Sequence, residues 1–335
     1  MDRRALVEIR HLSKFFPVTR SFIGKPTSLL KAVDDVTFDI MAGEAFGLVG
    51  ESGCGKTTIG KMLVDLYTPT RGSIIYEGID LAGLPATKRR RYCRDLQLIF
   101  QDPYASLNPR MTIGEIITEP IAINRLVPRG DIADRVGYLL ECVGLSPDYR
   151  NRFPHEFSGG QRQRVGIARA LAMEPKLIVC DEPVSALDVS VQAQVLNLLA
   201  DLKDEFGLTY LFIAHGLNVV KHVSDRVGVM YLGKLVEVAP KHILYANPLH
   251  PYTQALLSAI PTTKKEQRRE RIILKGDVPS PIDPAPGCRF SSRCYAKGAV
   301  SPPIDCDVDC PELVEVEPDH WVACHLLTQN PNLYV

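Results

Sequence analysis

The stretch Gly50-Glu51-Ser52-Gly53-Cys54-Gly55-Lys56-Thr57 constrains this chain more than any other. Its spacing, G-x-x-x-x-G-K-[ST], is that of a loop whose glycines let backbone N–H groups turn inward on phosphate oxygens. Lys56 is placed to reach the β- and γ-phosphates, and the Thr57 hydroxyl to ligate Mg²⁺. The flanks agree. Ala45-Phe46-Gly47-Leu48-Val49 reads as a buried strand, and residues 58–66 as a helix whose N-terminus adds its dipole to the phosphate site. We count Gly50 through Thr58 as the nucleotide-binding run. Cys54 holds a variable position of the loop, where a small side chain suffices.

A second apolar run, Leu177-Ile178-Val179-Cys180, ends in Asp181-Glu182. It reads as a parallel strand delivering two carboxylates to its C-terminal edge, where open α/β sheets bind ligands. Asp181 is placed to hold Mg²⁺ through water. Glu182 is placed to polarise the attacking water, because phosphoryl transfer asks a protein mainly for positioning and charge stabilisation. Taken alone, this segment also fits a strand before a solvated acidic turn.

In order along the chain stand the phosphate loop, Gln101, Ser158-Gly159-Gly160-Gln161, Asp181-Glu182, Ser185-Ala186-Leu187-Asp188 and His215. In this set the chain resembles the ATP-binding subunit of an ABC transporter. The resemblance implies a P-loop nucleotide-binding domain of α/β class with an antiparallel β subdomain and a helical signature subdomain. It implies that Ser158, Gly159, Gly160 and Gln161 cap the γ-phosphate of ATP held by an opposite subunit; glycines at a helix start suit close approach to an anion. Gln101 is expected to touch the metal or water, Asp188 to lie at the subunit interface, and His215 to contact the γ-phosphate. Gly216 follows His215 where the family usually has Asp. Phe16 stacks on adenine in the family pattern; a strand-end core residue is the competing reading.

Lys plus Arg number 39, as do Asp plus Glu, so a chain of 335 residues carries no net charge and no electrostatic footprint for nucleic acid. The basic runs Lys88–Arg91 and Lys264–Arg271 read as solvated faces or linkers, with adhesion to anionic lipid as the lesser reading. No apolar run reaches the roughly 20 residues that span a bilayer, and Met1-Asp2-Arg3-Arg4 lacks a signal-peptide core. The expectation is a cytosolic location, with membrane attachment through other proteins.

Strands are expected over 7–16 and 32–40 with a loop over 17–30 between them. Helices are expected over 113–123, 132–143, 161–173 and 189–206, and strands over 209–214, 226–231 and 234–238. This gives a nucleotide-binding domain over 1–240, its helical part over about 102–160, and an extension over 241–335. Asn247-Pro248-Leu249-His250-Pro251-Tyr252-Thr253-Gln254 resembles the C-terminal extension of dipeptide and oligopeptide importers. The runs Gln101–Thr112 and His155–Arg169 resemble the second, F-type ATPase of those systems. That resemblance implies a non-identical second ATPase, two permeases and an external solute-binding protein, at the cytoplasmic membrane face. Nickel, glutathione and sugar importers share the subunit type. A soluble ABC ATPase is the alternative class.

Five of the nine cysteines lie from Cys288 to Cys324. In a cytosolic protein such clustering argues for metal rather than disulfides. The importer extension carries a Cys-x5-Cys-x6-Cys-xn-Cys pattern associated with a [4Fe–4S] cluster, and Cys288, Cys294 and Cys324 match it. Eleven residues rather than six separate Cys294 from Cys306, and Cys310 competes with Cys306 as third ligand. A zinc site using His320 or His325, or a tail without metal, are the other readings.

Overall fold

A computed structural model describes residues 4–20, 26–260, 270–297 and 306–328. Strands β1 (Ala5–Arg20) and β2 (Pro26–Met41) form a long antiparallel pair. β3 (Ala45–Val49) then runs into the loop that opens α1 (Lys56–Leu63). Two short strands, β4 (Arg71–Tyr76) and β5 (Ile79–Asp80), complete an antiparallel sheet of order β2-β1-β4-β5. After α2 (Ala86–Arg89) and β6 (Leu96–Ile99), helices α3 (Ile113–Asn124), α4 (Ile132–Cys142) and α5 (Gly159–Leu171) form the helical part. β7 (Leu177–Asp181), α6 (Val189–Phe206), β8 (Thr209–Ala214), α7 (Leu217–Val223), β9 (Arg226–Tyr231) and β10 (Lys234–Pro240) follow. The remainder carries α8 (Lys241–Ala246), α9 (Pro251–Ser258), β11 (Val314–Glu317), β12 (His320–Val322) and α10 (His325–Thr328).

The main sheet has order β11-β12-β10-β9-β3-β8-β7-β6, with β3 parallel to both β8 and β9. Its central strands are apolar on both faces because both are covered. Phe46, Leu48, Val179, Leu211 and Ile213 pack toward the antiparallel sheet and α1. Their neighbours Ala45, Val49, Ile178, Cys180 and Phe212 pack toward the helices. Phe38 of β2 stacks on Phe46 at 4.8 Å, joining the two sheets. Each such fully buried side chain contributes on the order of 2 kcal/mol.

Some expectations are corrected. The loop expected over 17–30 is largely strand: Phe16 pairs with Leu30, Pro17 with Leu29 and Arg20 with Pro26. The β4 ladder ends at Ser13, so beyond it β1 is an edge, where proline is tolerated. Residues 21–25 of that loop, and residues 264–269 of the second basic run, lie outside the described residues. β12 pairs along β10, through Glu237 with Val322 and Val238 with Trp321, so the main sheet continues beyond residue 240. α1 also starts two residues before its expected Thr58, since Gly55 is the N-cap.

A buried carboxylate fastens α9 and β12 to β10 of this sheet. Glu237 of β10 accepts from the amides of Leu249 (2.8 Å) and His250 (3.0 Å), and its Oε1 lies 2.8 Å from His320 Nε2. His250, itself buried, accepts from the Tyr252 amide at Nδ1 and so caps α9. Burial holds its imidazolium well below the ordinary range, at about 4, against an opposing pull from Glu237. The folded chain therefore keeps His250 neutral down to about pH 4, while the unfolded chain protonates it near about 6.5. Stability is expected to fall as pH drops through that window. His250→Gln keeps an acceptor without a titration, so denaturant unfolding of wild type and variant should converge on acidification and diverge toward neutral pH.

Candidate nucleotide site

β3 delivers the phosphate loop at its C-terminal end, and glycine is required there for space as well as conformation. A Cβ on Gly55 (φ 107°) would meet Ala32 O at 2.1 Å, and one on Gly50 would meet Met230 O at 2.1 Å. Lys56, only 4% exposed, donates from Nζ to Gly50 O at 2.7 Å and Glu51 O at 3.1 Å, so its charge is held over the loop. Cys54 is buried against the same amine, and burial raises its thiol above the ordinary range. Ser52 and Gly53 are exposed; Thr57 and Thr58 are half-buried on the first turn of α1.

The loop and the acidic strand meet. Thr57 Oγ1 donates to Asp181 Oδ1 at 2.8 Å. Burial raises the Asp181 carboxyl above the ordinary carboxylate range, while that bond and Lys61, Lys56 and His215 pull it down. Glu182 is 6% exposed and adopts φ 49°, a conformation non-glycine residues seldom take. Its Oε2 receives two groups: Gln101 Nε2 at 2.6 Å and His215 Nε2 at 2.7 Å. The carboxylate is thus aimed by side chains from just beyond β6 and β8. Gln101 and His215 are both exposed on their other sides. This arrangement can orient a base and two polar groups around one point beside a phosphate cradle.

The signature lies apart from that group. Ser158 caps α5: its Oγ accepts from Gln161 N at 3.3 Å while Gln161 Oε1 accepts from Ser158 N at 3.0 Å. The Ser158 hydrogen remains available to donate outward, since a hydroxyl carries one donor and two acceptor sites. Ser158 and Asp188 are exposed, and Val189 beside Asp188 is 83% exposed. Gly159 faces Leu187, and a Cβ on Gly160 would lie 2.4 Å from Val191 Cγ1. Gly160 thus has a packing reason within its own chain. Phe16, half-buried, meets Tyr67 edge-on at 5.5 Å with Lys14 Nζ 5.1 Å from its centroid.

Cys288, Cys294, Cys306 and Cys324 line one small cavity with His250 and His325. Cys310 is exposed and not on its wall. Among the described residues no three His, Cys, Asp or Glu side chains are arranged to hold a metal ion. His320, the other candidate zinc ligand, is committed to Glu237. Sequence reasoning missed Tyr252 and Arg293: the Tyr252 hydroxyl accepts from the Glu51 amide at 3.0 Å, and Arg293 Nη1 donates to Glu51 Oε2 at 2.9 Å.

The family description "ABC transporter" matches residues 33–185, and "Oligopeptide/dipeptide transporter, C-terminal region" matches 236–300. The chain is 52% identical over 328 residues to the oligopeptide transport ATP-binding protein AppF of Bacillus subtilis, spanning 97% of this chain and 98% of that protein. It is 53% identical to a putative peptide import ATP-binding protein of Brucella ovis, spanning 97% and 98%. It belongs to the oligopeptide/dipeptide family of ABC transporter ATP-binding proteins. Among solved structures, the dimeric post-hydrolysis state of the ATP-binding cassette MJ0796 bound to ADP and Pi superposes with a TM-score of 0.63 at 27% identity. It covers 70% of this ABC ATPase and 98% of that chain.

The Gly160 contact gives a clean test. Gly160→Ala is expected to destabilise by about 1–3 kcal/mol through overpacking against Val191, and Val191→Ala should restore most of the loss. Chemical unfolding of the four proteins measures the coupling.

Proposed function

We propose that this chain hydrolyses ATP to energise import of peptides, with Glu182 aligning the attacking water. The observation that carries the reading is the convergence on Glu182 Oε2 of Gln101 and His215, beside the bonded pair Thr57–Asp181 and the lysine-bearing loop. Lys56 and the loop amides other than those of Glu51 and Cys54, which are bonded to Tyr252 and Glu51, would bind the phosphates. Thr57 directly, and Asp181 and Gln101 through water, would hold Mg²⁺, which when bound neutralises phosphate charge. Gln101 and His215 orient the base; His215 also faces the γ-phosphate. Phe16, carrying Tyr67 against its edge, would present a ring to adenine.

Peptide import comes from the relatives, named for oligopeptide transport and peptide import, and from the matched C-terminal region. In this reading residues 1–240 are the motor, 241–335 are the importer-type extension, and the chain sits at the cytoplasmic membrane face on two permease subunits. Among the described residues no helix is long and apolar enough to cross a membrane. An external solute-binding protein supplies the peptide. The second ATPase is a non-identical subunit whose phosphate loop faces Ser158–Gln161, and Asp188 lies at the interface with it. The exposure of Ser158 and Asp188, and the dimeric MJ0796 cassette, support that geometry.

The extension is assigned a [4Fe–4S] cluster on Cys288, Cys294, Cys306 and Cys324. What supports this reading is that all four line one small cavity, four thiols being the number such a cluster takes. Burial pushes the Cys288 thiol up to about 11 and Cys324 to about 12, so a metal centre would supply the positive charge that thiolates need. Cys306 is preferred to Cys310, because the Cys288 amide donates to its carbonyl at 2.8 Å on the cavity wall.

Two outcomes test this function. Glu182→Gln preserves the hydrogen-bonding shape and is expected to bind ATP normally while ATP turnover in the assembled transporter drops by about 10²-fold or more. Near-normal turnover, with the partner's own site disabled, would reject Glu182 as base. Ser158→Asp keeps a good helix cap but sets a carboxylate against the partner's γ-phosphate. The isolated subunit should retain its ATP affinity while transport by reconstituted vesicles fails; undiminished transport would rule out action in trans.

A further inference from the structure

Glu51 opens the outer turn of the phosphate loop, directly after Gly50, and the next two residues are exposed. On its inner side its carbonyl accepts from Lys56 Nζ at 3.1 Å. On its outer side it bonds to the C-terminal extension. Its amide donates to the Tyr252 hydroxyl, and its carboxylate receives Arg293 across 242 positions of sequence.

Both clamps are themselves immobilised. Tyr252 is fully buried, with its ring 4.8 Å from Tyr231 and 5.4 Å from Phe290. Tyr231 ends β9, the neighbour of β3, and Arg293 Nη1 also lies 3.3 Å from its hydroxyl. The Arg293 side chain is about nine-tenths buried, at 10% exposure, so the ion pair with Glu51 is partly shielded from water. The platform is rigid and aromatic, and two polar groups reach from it to one loop residue.

We propose that Tyr252 and Arg293 are positioning residues for the phosphate loop: they fix the Glu51 backbone, hence the seat of Lys56, and through them the C-terminal extension sets how tightly this subunit holds ATP. Both act through Glu51. Arg293 stands one position before Cys294, on the turn that begins at Cys288, so the same turn builds the thiol-lined cavity and the loop clamp. The inference rests on the nucleotide-site reading above.

The test is equilibrium titration of the full-length protein with a fluorescent ATP analogue and Mg²⁺, with thermal unfolding alongside. Tyr252→Phe removes one oxygen and leaves the ring packing, so it reports even if a charge change at 293 prevents folding. Tyr252→Phe and Arg293→Met are each expected to weaken binding roughly five-fold or more, with partial recovery in Arg293→Lys. In a Glu51→Gln background, Arg293→Met should add little further loss. Folded variants with unchanged affinity, or an Arg293→Met effect undiminished in the Glu51→Gln background, would overturn the inference while leaving the nucleotide site standing. Failure of the unaltered protein to bind the analogue would overturn the nucleotide-site reading and this inference with it.

Discussion

Where the parallel strands end decides where the chemistry is. Val49 of β3 lies opposite Ala214 of β8 and Val229 of β9, Asp181 of β7 opposite Ile213, and Ile99 of β6 opposite Cys180. In that register the residues just beyond each strand fall at one edge: Gly50, Glu182, His215 and Gln101. Polarity does little to choose the register, because both faces are apolar. A polar clasp at the opposite end does more. Ala45 N donates to Asp225 Oδ2, Asp225 N donates to Ala45 O, and Tyr210 N donates to Glu44 O. Pinning β3 where it starts therefore sets where its loop emerges.

The apolar runs of β3, β7 and β8 were legible because fully buried strands need no alternation, and the punctuation around them was strong. α3 starts at the expected residue 113, whereas α5 starts at Gly159, two residues before its expected 161, because Ser158 and Gln161 cap each other. The site residues were named by motif, and five of them do meet in space: Thr57 with Asp181, and Glu182 with Gln101 and His215. What escaped was set by distant partners. β6 is four residues long with two half-buried, too little for periodicity to speak. β1 and β2 run on past Pro17 because the open side of an edge costs proline nothing. Val314-Glu315-Val316-Glu317 does alternate, and that signal was available. Tyr252 and Arg293 carry no local mark at all; only folding shows that they reach Glu51.

The described residues beyond β10 are not an appendage in space. Glu237 is a carboxylate with no exposure on a strand of the main sheet, and its hydrogen bonds come from Leu249, His250 and His320. Desolvating such a group is costly unless it is fully partnered. The sheet and the extension therefore need each other: one supplies the charge and the other the donors. Arg289 with Asp34, and Asp283 with Leu29, repeat the connection on β2.

The central place of β3 also has a consequence in time. Its hydrogen-bonding neighbours are β8 and β9, the second of which ends at Tyr231. At roughly 5–20 residues per second, a growing chain carries its completed phosphate loop for about eight to thirty seconds before β8, the first of these neighbours, is complete. During that interval an apolar strand waits unshielded, and the antiparallel hairpin of β1 and β2 is the early-made element able to cover one face, through Phe38 on Phe46. The long hairpin can thus serve as a shelter for the newborn strand before it becomes a floor beneath the finished one.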